Sequence, residues 1–433
     1  MDRISIAAPR PHAATVDVPG DKSISHRALL LSAIAHGSSR IANLNLGADV
    51  QATADALRSL GVPVEQAAQQ TLVITGVSEL RDPSATLDCG NSGTTMRLLT
   101  GLIAGRVNAV LDGDASLRRR PMERVAAPLR TMGAEVATTQ GKPPIRMRRS
   151  PSPLRGALFS MDHASAQVKS ALLFAGLRAQ GDTVVVEPEQ TRDHTERMLR
   201  AMGAPIVVAD REIHIKAGSL RALGDFEVPG DFSAAFFFIA GAAVLVGADV
   251  TIRNVGVNPT RIAALDIVRA MGVDVTLLSE RSTYGEPVAD IRVRGGAVLR
   301  GVDVPAALVP NLIDEIPALC ALAAFAQGTF SVRSAAELRV KESDRIATTA
   351  GLLRSFGVAA EEAADGLIVQ GGRTLSAPPS VQTHGDHRIG MSAAILAAGA
   401  RVPLLIEDAA CIATSFPEFE RTWRLAFGPH MEW

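Results

Sequence analysis

Cysteine, aromatic residues, net charge and long apolar runs are all in short supply, and each shortage removes a class of protein. The three cysteines, Cys89, Cys320 and Cys411, stand far apart without metal-ligand spacing. So sparse and odd a count excludes a disulfide scaffold and a zinc or haem motif, and it fits a reducing cytoplasm. The formal net charge is −1, with no basic tail or acidic run. Neither nucleic acid nor a membrane surface is therefore expected as a partner. Apolar runs such as Ala234–Val246 are too short to span a bilayer and read as buried helices. The opening Met1-Asp2-Arg3-Ile4-Ser5 lacks the apolar core of a signal peptide. A soluble cytoplasmic protein is expected.

Aromatic residues make up only 4% of the chain against 47% hydrophobic residues and 37 glycines. That balance points to a tightly packed, alanine-rich α/β protein and away from a disordered or fibrous one. At 433 residues the chain exceeds one typical core, so two domains are expected.

What is present begins with Val18-Pro19-Gly20-Asp21-Lys22-Ser23-Ile24-Ser25-His26-Arg27. Pro19 and Gly20 make a turn. Lys22, Ser23, Ser25 and Arg27 then lead into the apolar run Ala28-Leu29-Leu30-Leu31. Cations and hydroxyls at a helix N-terminus suit a phosphate or carboxylate. A nucleotide P-loop is disfavoured, because Asp21 separates Gly20 from Lys22. The pattern returns 210 residues later as Val228-Pro229-Gly230-Asp231-Phe232-Ser233, with Phe232 in the lysine's place. Two related halves, with the chain crossing at two hinges, are implied.

A finer repeat runs through both halves at a period of about 70 residues. Leu57-Arg58-Ser59-Leu60-Gly61-Val62 has counterparts at Leu129–Ala134, Leu199–Ala204, Val268–Val273 and Leu353–Val358, with a weaker one ending at Gly428. Each glycine suits the left-handed residue that stops a helix. A second series, Gly37, Gly105, Gly181, Gly247, Gly328 and Gly399, ends more apolar helical runs. Each unit therefore reads strand, apolar helix, strand, amphipathic helix, strand, and three units fill each half.

Polar residues gather where these helices begin. Asn91 to Arg97, Ser165-Ala166-Gln167, Thr191 to His194, Asp314-Glu315-Ile316-Pro317 and Asp386-His387-Arg388 each open a helix-like run, and Pro121 after Arg118-Arg119-Arg120 suits a first helical position. The densest group, Glu337 to Arg345, reads either as an exposed helix start with local ion pairs or as part of a site. Cations at equivalent points of several units, Lys22, Arg27, Arg120, Arg192, Lys341, Arg345 and Arg388, would bind a small, multiply anionic substrate.

These motifs resemble the 3-phosphoshikimate 1-carboxyvinyltransferase (EPSP synthase) family of enolpyruvyl transferases. The resemblance rests on Gly20–Arg27, Gly90-Asn91-Ser92-Gly93-Thr94, Leu338–Arg345 and Asp386-His387-Arg388, and it spans Val18 to Pro417. It implies an inside-out α/β barrel in each of two domains, each built of three βαβαββ-type units. The domains would be residues 21–229, and residues 1–20 with 230–433. It implies transfer of the enolpyruvyl group of phosphoenolpyruvate to the 5-hydroxyl of shikimate 3-phosphate, by a monomer with no metal or organic cofactor. Glyphosate would compete for the phosphoenolpyruvate site.

Carried onto this sequence, the resemblance puts shikimate 3-phosphate on Lys22, Ser23, Arg27, Ser165, Ala166, Gln167, Arg192, Asp314 and Lys341. Phosphoenolpyruvate falls to Lys22, Gly93, Arg120, Gln167, Arg345 and Arg388. Asp314 would take the hydroxyl proton, and Glu342 with Lys22 would move the methylene proton. Ala413-Thr414-Ser415-Phe416-Pro417 lacks the lysine that many relatives carry there. The alternatives are a UDP-N-acetylglucosamine enolpyruvyl transferase, disfavoured because Asp112–Arg120 holds no cysteine, and a non-catalytic anion binder. Carboxylates among the arginines argue against the second.

Overall fold

The computed structural model describes residues 2–372 and 374–428. Its contacts divide the chain into two units. One consists of Gly20–Val228 with the short segment Thr283–Glu286; the other takes the chain up to Pro19, Pro229–Ser282 and everything from Pro287 on. The first unit carries α1 (Lys22–Ser32), α2 (Ala48–Ser59), α3 (Gly93–Ile103), α4 (Glu123–Thr131), α5 (Ala166–Gly176) and α6 (His194–Ala201). The second carries α7 (Phe232–Ala243), α8 (Ala263–Ala270), α9 (Ile316–Ala323), α10 (Arg345–Ser355), α11 (His387–Ala400) and α12 (Phe419–Phe427).

Odd and even helices differ as their sequences require. Helices rich in Ala, Leu and Phe all round their circumference must be buried all round. Every residue of α7 is buried, as is α9 throughout and α5 from Val168 onward. The even helices bury one face, as α6 does with Met198 and Leu199, and leave the other to solvent. Each unit thus has its own core of inner helices covered by sheets.

Among the described residues each unit has three sheets, and the strand order shows the repeat. Leu87–Asp88 runs parallel to Ala109–Asp112 across the crossover helix α3. The hairpin Glu135–Thr139 and Lys142–Arg148 then adds antiparallel. Leu158–Ser160, Thr183–Val186, Glu212–Ile215 and Ile206–Ala209 repeat that order. The first sheet of the same unit is completed from far along the chain, where Asp225–Glu227 pairs in parallel with Ser38–Ala42. In the other unit the N-terminal strip does this service. Ala13–Val16 pairs in parallel with Asp249–Gly256, and Arg3–Ile6 runs antiparallel to Leu404–Glu407.

The recurring glycine is a helix stop with both of its characteristic bonds. In five repeats it has positive φ, its N–H bonds the arginine carbonyl three residues back, and the next N–H bonds the carbonyl five back. Gly61 to Arg58 and Val62 to Leu57 is one instance. This double closure is the Schellman motif. The repeated arginine reaches six residues forward, Arg58 to Val64, Arg130 to Val136 and Arg354 to Ala360, holding the helix to the next strand. Three expectations need correction. Gly428 is extended rather than left-handed, and Gly399 lies inside α11, where Arg401 takes the left-handed stop at φ 59°. Pro121 does not begin α4, which starts two residues later.

At the two crossings glycine is required by close approach. A Cβ on Gly20 would lie 1.8 Å from the Asn43 carbonyl oxygen, and one on Gly230 would lie 2.9 Å from Val18 and 3.1 Å from the Asn254 carbonyl oxygen. The segment Thr283–Glu286, at the tip of a hairpin, is fixed within the first unit. Tyr284 packs edge-on against Phe226 at 5.1 Å, and Glu286 Oε1 is 2.9 Å from His194 Nδ1.

Candidate active site

The polar starts of the inner helices form one constellation on each unit. On the first, Asp21 caps α1 by accepting from the Ile24 N–H at 2.8 Å, which brings Lys22, Ser23 and Arg27 onto its opening turns. Lys22 Nζ is 3.0 Å from Asp49 Oδ2 and remains partly exposed. Arg27 is buried, and its three nitrogens donate to Thr195 Oγ1 at 2.6 Å, Ser23 O at 2.9 Å and Ser170 Oγ at 2.8 Å. Burial pulls its pKa down to about 10, with Glu196 pulling the other way. Behind it His26 is fully buried, with Nδ1 2.8 Å from Thr53 Oγ1. Burial, then Lys22 and Arg27, hold its pKa well below the usual histidine range.

A second knot joins α3, α5 and the turn before α4. Ser92 caps α3 through the Thr95 N–H, so Gly93 is the first helical residue. Arg97, one turn on, donates to Gln167 Oε1 at 2.6 Å and to Pro121 O at 3.3 Å. Gln167 Nε2 in turn donates to Thr94 Oγ1 at 2.8 Å. Arg120 donates to Asn91 Oδ1 at 2.6 Å. A Cβ on Gly93 would come within 2.9 Å of the Arg97 NH1 and 3.2 Å of the Arg120 NH1, so Gly93 is the gap into which both guanidinium groups fit. Ser165 caps α5, making Ala166 its first residue and Gln167 its second. Arg192 lies in the loop before α6, close enough to Arg27 to weigh on its charge.

On the second unit the sequence cluster resolves around Arg345, the first residue of α10, whose side chain is 1% exposed. Its Nε donates to Asp386 Oδ2 at 2.8 Å, NH2 to Glu342 Oε2 at 2.6 Å and NH1 to Asp314 Oδ1 at 3.3 Å. Burial opposes the charge, but the three carboxylates hold its pKa above the usual arginine range. Arg388 NH1 donates to the Asp314 carbonyl at 2.9 Å, and its NH2 is 3.9 Å from Asp314 Oδ1. Lys341 Nζ is 3.8 Å from Glu337 Oε1, and burial draws its pKa below the usual lysine range against the pull of Asp314. Burial, the largest single influence on Asp386, favours its protonation, but the charge and hydrogen bond of Arg345 together with His387 keep its pKa below the usual carboxylate range. Asp386 also caps α11 and accepts from Ser343 Oγ at 3.0 Å.

Asp314, Lys341, Glu342, Arg345 and Arg388 are thus gathered on one unit, and the remaining expected residues stand on the other. Arg97 and Asp386 lie inside the motifs, and their partners Gln167 and Arg345 emerge only from the structure. Arg97's spacing of four from Gly93 was the available sign, since that spacing stacks residues on one helix face. Thr414 closes a 3-10 turn by donating to Cys411 O, so its hydroxyl serves that turn. No cysteine is suited to attack: burial pushes the thiol of Cys320 up to about 12, that of Cys411 up to about 11, and that of Cys89 upward.

Comparison with known proteins points to one family. The family model described as EPSP synthase (3-phosphoshikimate 1-carboxyvinyltransferase) matches residues 6–423. A 3-phosphoshikimate 1-carboxyvinyltransferase of Anaeromyxobacter sp. (strain K) is 48% identical over 424 residues, covering 97% of this chain and 95% of the relative. One from Alkalilimnicola ehrlichii is 49% identical over 405 residues, covering 93% and 90%. Among solved structures, an EPSP synthase from Acinetobacter baumannii superposes with a TM-score of 0.87 at 43% identity, covering 99% of this chain and 98% of the other.

Proposed function

The chain belongs to the EPSP synthase, or 3-phosphoshikimate 1-carboxyvinyltransferase, family, and from that premise we propose how its two constellations divide the reaction. The chain transfers the enolpyruvyl group of phosphoenolpyruvate to the 5-hydroxyl of shikimate 3-phosphate and releases phosphate, on the route to chorismate and aromatic amino acids. Shikimate 3-phosphate is held by Lys22, Ser23, Arg27, Ser165, Ala166, Gln167, Arg192, Asp314 and Lys341. Phosphoenolpyruvate is held by Lys22, Gly93, Arg120 and Gln167 with Arg345 and Arg388. Guanidinium forks match its carboxylate and phosphate and align it for attack.

Asp314 accepts the proton of the 5-hydroxyl as that oxygen bonds to C2 of phosphoenolpyruvate. Glu342, assisted by Lys22, delivers a proton to C3, giving a tetrahedral ketal. Loss of phosphate from C2, with the hydroxyl proton passing overall from Asp314 to the phosphate, and return of a C3 proton to Glu342 then restore the double bond. The observation that carries this reading is the inequality of the three carboxylates on Arg345. Asp386 is 0% exposed and acts as a helix cap, whereas Asp314 and Glu342 are 13% and 24% exposed and can meet a substrate.

A cytoplasmic location fits its three free cysteines, and the proposed monomeric state is checked by sedimentation. Arg27→Ala and Arg120→Ala test the division of labour. The first should weaken shikimate 3-phosphate binding and the second phosphoenolpyruvate binding, each by roughly 10- to 100-fold. The reverse pattern in direct binding measurements would overturn the assignment.

A further inference from the structure

Behind the Arg192 loop lies a lysine that the reaction does not use. Lys169, on α5, has a side chain that is 0% exposed. Its Nζ is 2.9 Å from Glu187 Oε2, 2.6 Å from Glu196 Oε1 and 3.5 Å from the Thr191 carbonyl oxygen. The other oxygen of Glu187 accepts from the Thr191 N–H at 3.2 Å and from its hydroxyl. All three polar groups of Thr191 are therefore tied to Lys169 or to its partner, and Arg192 follows immediately.

A second link runs alongside the first. Ser170 Oγ and Thr195 Oγ1 are 2.6 Å apart, and both accept from Arg27, at 2.8 Å and 2.6 Å respectively. Lys169 with Glu196, and Ser170 with Thr195, are thus neighbouring ties from α5 to α6, and Arg27 closes on the second tie.

Stability alone is a weak reason for such an arrangement, since a buried ammonium with two carboxylates often gains little over apolar packing. The buried Glu196 Oε2 has no hydrogen-bond partner among the described residues, and the carboxylate is held through its other oxygen by Lys169. Among nearby charges, Glu196 favours the Arg27 guanidinium most. We infer that Lys169 is a positioning residue for shikimate 3-phosphate: by fixing Glu187 and Glu196 it aims Arg192 through Thr191, and Arg27 through the Ser170–Thr195 pair. The inference rests on the reading that both arginines bind that substrate.

The test compares Lys169→Met, Thr191→Val and Arg192→Ala in the full chain. It measures shikimate 3-phosphate dissociation constants by calorimetry, steady-state constants for both substrates, and folding by circular dichroism. Lys169→Met should weaken shikimate 3-phosphate binding by roughly 10- to 100-fold, as small misplacements of binding groups do. Its kcat and its KM for phosphoenolpyruvate should stay within about threefold. Thr191→Val, which keeps all three charges, should show a smaller loss in the same substrate. Unchanged shikimate 3-phosphate affinity in folded Lys169→Met, or equal losses for both substrates, overturns the inference. Should Lys169→Met not fold, unchanged affinity in Thr191→Val overturns it. If Arg192→Ala weakens binding and neither other variant does, the inference alone fails. If Arg192→Ala has no effect, the reading of Arg192 as a ligand fails and takes the inference with it.

Discussion

Gly93→Ala is the smallest change that separates the two substrates. The added methyl would stand 2.9 Å from one Arg97 nitrogen and 3.2 Å from one Arg120 nitrogen, against an ordinary contact of 3.4 Å or more. Arg97 must then retreat by about half an ångström and Arg120 by a few tenths. Neither is free to do so without loss, because Arg97 holds Gln167 at 2.6 Å and Arg120 holds Asn91 at 2.6 Å. Overpacking of this kind costs about 1–3 kcal/mol. If that cost falls on the bound state, phosphoenolpyruvate affinity drops by roughly 5- to 150-fold. Shikimate 3-phosphate affinity should fall less, since Arg27 and Arg192 are not displaced and only Gln167 is shared with the disturbed group. Glyphosate, expected to compete with phosphoenolpyruvate, should inhibit the native enzyme and lose at least as much affinity as the substrate. The assay is the KM for each substrate with the inhibition constant for glyphosate, for both proteins. Unaltered phosphoenolpyruvate KM and inhibition constant, or an equal loss of shikimate 3-phosphate affinity, would refute the placement of Gly93.

Two further predictions concern buried charge. Arg345→Met leaves the fully buried Asp386 carboxylate without its ion-pair partner and should lower stability to urea by about 3–5 kcal/mol; adding Asp386→Asn should recover part of this, and no recovery would contradict the pairing. His26 has a folded pKa below that of the unfolded chain, so the unfolded state takes up the proton first and stability falls as pH drops below about 6.5. His26→Asn should flatten the slope of unfolding free energy between about pH 6.5 and 5; identical slopes would mean that His26 is not held neutral.

The fold was legible wherever its cause was local. Gly61 and its counterparts could be read as helix stops because that role depends on a left-handed residue and a few flanking bonds. Gly399 broke the pattern because Arg401 took the left-handed stop of α11, and Gly428 broke it because it ends α12 in an extended conformation. The site residues were legible as motifs at helix starts, yet their partners were not. Arg97 meets Gln167 from 70 positions away, and Arg345 meets Asp386 from 41. Such pairs depend on how inner helices pack, which spacing in one segment does not encode. Lys169 was hidden for a related reason: inside the apolar run of α5 it has no nearby acid in sequence, and Glu187 and Glu196 arrive from the next loop and helix. The return of Thr283–Glu286 to the first unit carries no turn signal that distinguishes it from an ordinary hairpin tip.

The most direct test of the account is single-turnover phosphate release from phosphoenolpyruvate, with the native protein and Asp314→Asn each presented with shikimate 3-phosphate or UDP-N-acetylglucosamine. The native protein should release phosphate with shikimate 3-phosphate and not with the nucleotide sugar. Asp314→Asn keeps the shape of the side chain and loses the base, so its rate should fall by roughly 100- to 10,000-fold while shikimate 3-phosphate binding stays within about tenfold. Release at the native rate from Asp314→Asn, with binding intact, would contradict the assignment of Asp314 as the base.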